Sequence, residues 1–108
     1  MSAEFDRCLE AGVALFNAGR FYEAHEAWEE AWRHEQGLRR QLLQGLIQVA
    51  AAWMKRDAGQ LQGARTLFDR ALGRLEQLPD VYEGLEVGRL RTQVARWREG
   101  VGEERPAL

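Results

Sequence analysis

The segment Ala18-Gly19-Arg20-Phe21-Tyr22-Glu23-Ala24-His25-Glu26-Ala27-Trp28-Glu29-Glu30-Ala31-Trp32 recurs in outline forty residues later as Ala58-Gly59-Gln60-Leu61-Gln62-Gly63-Ala64-Arg65-Thr66-Leu67-Phe68-Asp69-Arg70-Ala71-Leu72. Both copies carry Ala-x-x-x-aromatic-x-x-Ala, which sets one large ring between two small residues on a single helical face. A neighbouring helix can come close over the alanines while the ring fills the gap, as in stacked helical hairpins that share a core. The echo therefore predicts an all-α fold: a compact bundle of about five helices, two repeat-like hairpins plus a C-terminal helix.

Every long segment has an apolar period near 3.6, and none alternates as a strand would. Ser2 can cap the first helix, which turns Phe5, Leu9, Gly12 and Phe16 inward and stops at Gly19. Cys8 falls in the same rhythm, so core packing is its expected role. The second helix is expected over 21–35 and the third over 38–58, closed by Gly59. Leu42, Leu43, Leu46, Ile47, Val49, Ala50, Trp53 and Met54 cover most of the third helix, which places it at the centre. The fourth, over 61–78, has one stripe of Leu61, Ala64, Phe68, Ala71, Leu75 and Leu78, ended by Pro79. A connection over 80–86 leads to a fifth helix with Val87, Leu90, Val94 and Trp97 inward. Residues 1–99 form one helical domain on this parse, and the polar stretch 100–108 is expected to fray.

Net charge is −2 with 30% charged residues, which argues against nucleic acid as a main partner. No apolar run reaches the ~18 residues of a membrane span, and no secretory leader is visible, so the expected setting is the cytoplasm. The single cysteine fits a reducing compartment. Fourteen of the fifteen basic residues are arginine, which suggests a GC-rich bacterial genome, and the lone Asn17 keeps a thermophilic source open. Glu23, Glu26, Glu29, Glu30 and Glu35 make the second helix acidic, whereas Arg89, Arg91, Arg96 and Arg98 make the last one basic. The two are expected to pack or face each other, the alternative being a basic strip for phosphates on the last helix.

The second helix also carries a mixed stripe. Tyr22, His25, Glu29 and Trp32 follow at steps of three, four and three, so an imidazole and a carboxylate lie one turn apart between two aromatics. Gln44 and Gln48, one turn apart on the third helix, and Asn17 are the candidates to satisfy them. A structural polar cluster, a ligand pocket floored by Trp32, a metal site and acid–base catalysis all fit these residue types. Two helical ligands are too few for zinc, and His34 lies on another face, so neither a metal nor another cofactor is expected.

The run His25-Glu26-Ala27-Trp28-Glu29-Glu30-Ala31-Trp32, with Asn17-Ala18-Gly19-Arg20-Phe21-Tyr22-Glu23-Ala24 before it and Gln44-Gly45-Leu46-Ile47-Gln48-Val49-Ala50-Ala51 after it, resembles the HxxxExxW signature of domain of unknown function family 309. The resemblance implies an all-helical domain with His25, Glu29 and Trp32 as hallmark positions, and it implies no activity. A looser similarity is to tetratricopeptide repeats, through Gly12, Gly19, Phe21, Glu23, Ala24, Trp28 and Ala31. The forty-residue spacing departs from the usual 34, and Ala52 and Lys55 match poorly, which favours a compact bundle over an extended superhelix.

The expected function is a non-enzymatic binding or scaffolding module with a protein partner. Self-association stays open on the ground of four tryptophans and four phenylalanines in a short chain. The alternative is a small-ligand or metal-dependent enzyme built on His25, Glu29 and Trp32.

Overall fold

The computed structural model describes residues 3–100 and 106–108. Their order is α1 (Ala3–Asn17), α2 (Phe21–Trp32), α3 (Gly37–Asp57), α4 (Leu61–Leu75), a hairpin of β1 (Val81–Tyr82) and β2 (Leu85–Glu86), and α5 (Val87–Arg98). Helices α1 and α2 pair, α2 packs on α3, α3 pairs with α4, and α5 lies on α4. Gly19 and Gly59, with φ of +80° and +79°, make the tight reversals inside the two hairpins.

The Ala-aromatic-Ala faces are the core in both copies. Ala24, Trp28 and Ala31 are buried, as are Ala64, Phe68 and Ala71. Six rings link all five helices. Phe16 of α1 meets Phe21 and Trp28 of α2 at 5.0 and 6.2 Å and Trp97 of α5 at 6.4 Å. Trp53 of α3 meets Phe21, Phe68 and Trp97 at 6.0, 6.0 and 5.4 Å. Rings at these separations gain both area burial and favourable edge and face contacts. Cys8 is buried in the same core, and burial pushes its thiol above the ordinary range.

Several sequence expectations need correction. Helix α2 ends at Trp32, short of 35, and α4 ends at Leu75, short of 78, because the last residues of each turn tighten into i→i+3 bonds. Leu61 is 66% exposed and Met54 is 37% exposed, since both lie near the turn of the second hairpin, where no further helix among the described residues covers them. The stretch 80–86 is not irregular. Tyr82 pairs with Leu85 around Glu83 and Gly84, at φ of +51° and +80°, which is the two-residue type I′ turn. Arg39 of α3 holds that turn: its Nε donates to Glu83 at 2.9 Å, and its guanidinium lies 4.3 Å over the Phe5 ring and 3.9 Å from Glu35.

The acidic and basic helices are not complementary partners. Helix α2 packs on α1 and α3, and the α5 arginines find their acids near α4: Arg98 pairs with Asp69 and Glu99, and Arg91 with Asp80. Arg91 also donates to the carbonyls of Leu75 and Leu78 at 2.9 and 3.1 Å, closing the free end of α4. Ser2 and residues 101–105, part of the tail expected to fray, lie outside the described residues. Beyond them Pro106 is buried, and Leu108 packs against the core while its N–H donates to Asn17 Oδ1 at 2.7 Å.

Candidate functional site

Helices α2 and α3 run antiparallel, and two contacts fix their register. Phe21 stacks on Trp53 near one end, and Arg40 lies 3.9 Å over the Trp32 ring at the other. Stepping between these anchors at 1.5 Å per residue on each helix sets His25 level with Gln48 and Glu29 level with Gln44. The mixed stripe of α2 thus lies along the carboxamides of α3.

The side chains on this seam are not saturated. His25 Nε2 stands 4.0 Å from Glu29 Oε2, and Arg33 Nη2 stands 3.9 Å from Glu29 Oε1, both at the outer limit of ion pairing. Glu29 is 39% exposed, so water solvates it and no buried partner is required. His25 Nδ1, Trp32 Nε1 and Gln48 Oε1 are buried and have no hydrogen-bond partner among the described residues. Buried polar atoms are rarely left so, and each costs on the order of 1–3 kcal/mol unless something meets it. Two further atoms of this kind, Trp53 Nε1 and Arg56 Nη1, lie towards the far end of α3, where the Arg56 guanidinium covers the Trp53 ring at 4.7 Å.

Tyr22 is 58% exposed and stacks parallel to His25 at 6.4 Å. The Glu26 carboxylate beside it pushes its hydroxyl above the ordinary tyrosine range. Asn17 accepts from Leu108 and lines a different groove, with Val13 and Ala14 on one side and Glu83 on the other. Trp32 and Gln44 line a groove shared with α4. The structure therefore brings His25, Glu29, Trp32, Gln44 and Gln48 to one seam, with Tyr22 at its rim and Asn17 elsewhere. Sequence reasoning missed Arg40, Gln41, Arg74 and Gln77, which complete that groove. Arg40 was within reach, since an antiparallel turn after Trp32 brings the head of the next helix back across the ring.

Among the described residues no three His, Cys, Asp or Glu side chains converge to hold a metal. The hydroxyls of Thr66 and Thr92 are committed to carbonyls of their own helices, at 3.1 and 3.3 Å.

A family model described as Domain of unknown function (DUF309) matches residues 9–67, more than half of the chain. The chain belongs to that family. The DUF309 match takes in most of α1, all of α2 and α3, and the first half of α4. It therefore contains His25, Glu29, Trp32, Gln44 and Gln48 but stops before Arg74 and Gln77. An uncharacterised protein of Aquifex aeolicus (strain VF5) is 32% identical over 94 residues, covering 84% of this chain and 27% of that relative. The chain thus spans about a quarter of the relative's length. No helix among the described residues is long and apolar enough to cross a membrane.

Proposed function

We propose that this chain is a non-enzymatic binding module whose recognition face is the seam between α2 and α3. One observation carries the reading: His25 Nδ1, Trp32 Nε1 and Gln48 Oε1 sit on that seam as buried polar atoms with no hydrogen-bond partner among the described residues. A seam built only for stability gains more from apolar side chains or from a closed network than from a half-satisfied one. The one cysteine is no poised nucleophile, since Cys8 is buried in the core with its thiol pushed up by burial, and this supports binding over thiol catalysis.

The test compares untagged protein with a Gln48→Leu variant by native mass spectrometry and untargeted analysis of co-purifying small molecules, metals and proteins. A ligand or partner held by the native chain and lost from an equally stable Gln48→Leu variant is the expected result. Identical profiles for the two would contradict it. Stoichiometric transition metal that disappears in Glu29→Gln would put the metal-dependent enzyme first.

A further inference from the structure

A groove of about 540 Å³ opens where the end of α2, the first turns of α3 and the last turn of α4 meet, and its charge is one-sided. Arg40 and Arg74 are its ionisable lining residues, beside the Trp32 ring and the carboxamides of Gln41, Gln44 and Gln77. Neither guanidinium has a carboxylate within ion-pair distance among the described residues, although both are half-buried. That contrasts with Arg39, Arg91 and Arg98, whose acids stand against them.

Both arginines are held in place by bonds that leave much of their donor capacity unused. Arg40 lies flat on Trp32, and its Nη1 donates to the Trp32 and Glu35 carbonyls at 3.5 and 3.3 Å. Arg74 Nη1 donates to Gln41 Oε1 at 3.1 Å, Gln41 Nε2 to Gln77 Oε1 at 3.0 Å, and Gln77 Nε2 to the Gly73 carbonyl at 3.4 Å. That relay ties the guanidinium to the α4 backbone. A guanidinium has five N–H donors in a fixed fork. In both residues Nε and Nη2 make no hydrogen bond among the described residues, and that edge is one that grips a carboxylate or phosphate with two parallel bonds.

We propose that this groove binds a small organic dianion, a phosphate monoester or a dicarboxylate, between Arg40 and Arg74. Gln44 and Gln77 then meet the neutral polar part of the ligand. The inference rests on the binding-module reading and deepens it by naming the ligand class. Two cations fixed before the ligand arrives lower the ordering cost of binding, and a dianion answers both at once.

The experiment is an NMR titration of the full chain with inorganic phosphate, glycerol phosphate and succinate, each at constant ionic strength balanced with sodium chloride. The indole N–H signal of Trp32 is the reporter, with the other three tryptophan indoles as internal controls. A saturable shift confined to Trp32 is expected for at least one anion, weakened about tenfold or more in Arg74→Gln, because a charge-assisted bond is worth roughly 1.5–3 kcal/mol. Arg40→Gln should weaken it similarly but also loosens the end of α2, so Arg74→Gln, whose melting should match the native chain, carries the decision. Saturation by the two phosphates alone assigns the monoester, and saturation by succinate alone assigns the dicarboxylate. Shifts that sodium chloride reproduces, or saturable binding that Arg74→Gln leaves unchanged, would overturn the proposal. If the anions fail while Gln48→Leu still releases a co-purifying ligand, the dianion falls and the binding module stands.

Discussion

The two hairpins share a sequence frame and solve its packing differently. In the first, Trp28 fills a socket opened by Gly12: a Cβ at Gly12 would clash with Trp28 Nε1, and that nitrogen donates to the Leu9 carbonyl at 3.3 Å. In the second, the same frame places Ala52 and Phe68, both buried, a larger small residue with a smaller ring. The close approach there shifts to Gly45, whose Cβ would lie 3.0 Å from a Leu75 methyl. The outward stripes differ in the same way. His25, Glu29 and Trp32 of the first copy correspond to Arg65, Asp69 and Leu72 of the second. Asp69 is paired by Arg98 and Arg65 stands 4.0 Å from Glu99, so α5 and the residue after it close the second stripe with charge. The first stripe lies along the carboxamides of Gln44 and Gln48, with Arg40 over its Trp32 end, and keeps polar atoms without a partner among the described residues. One copy is closed by ion pairs, and the other carries the seam proposed above as a recognition face.

The largest effect expected is at the socket. Trp28→Ala should cost about 3–5 kcal/mol by cavity formation, read from chemical denaturation. A loss under about 1 kcal/mol would remove the socket from the account. Gly12→Ala alone should cost about 3 kcal/mol, the upper range for overpacking, because the clash is with a fully buried ring. Combining it with Trp28→Phe imitates the second hairpin, so the double variant should be more stable than the sum of the single effects by about 1 kcal/mol or more. Strict additivity would mean that the two hairpins do not share a packing frame.

Arg91→Ala should cost about 1–2 kcal/mol, since it frees the Leu75 and Leu78 carbonyls from their shared donor. Gly45→Ala should fall within about 1 kcal/mol of zero, because the gain in helix propensity offsets a contact with a methyl that can give. A larger loss would make the second hairpin as rigid as the first. The smallest effect is in the tyrosines, both held above the ordinary range, Tyr22 chiefly by the Glu26 charge and Tyr82 chiefly by burial. For a raised tyrosine the associated stability is present below the unfolded pKa of about 10 and is lost as pH rises through the folded value. Phenolate absorbance should therefore show late titration of both, with salt reducing the shift of Tyr22 and sparing that of Tyr82. Equal salt responses would contradict the assigned causes.

The helices, the Ala-aromatic-Ala core and the glycine reversals were legible because each is a local pattern repeated at helical spacing. The register of His25, Glu29 and Trp32 was legible for the same reason. The β-hairpin was not: two residues per strand are too few to show alternation, and Glu83 occupies a positive φ where Asn, Asp or Gly would be the usual signal. Arg39 holds it from 44 residues away. Periodicity also over-extended the core to Leu61 and Met54, because a stripe says which way a side chain points and not whether a neighbour is there. The Arg40–Arg74 groove is not legible in the sequence because each arginine is an ordinary helical residue until α3 and α4 pair. Asn17, placed near the seam by sequence proximity, is drawn instead to the Leu108 backbone.

The proposed recognition face rests on a polar seam in the first copy that is unsaturated among the described residues. The most direct measurement is the ligand-free stability of Gln48→Leu, which removes a buried, unpartnered oxygen and leaves a side chain of similar size. Chemical denaturation should show stability equal to the native chain or higher, since an apolar group replaces a buried oxygen that no described residue satisfies. A loss of more than about 1 kcal/mol would mean that Gln48 is bonded in the folded protein and that the seam is structural.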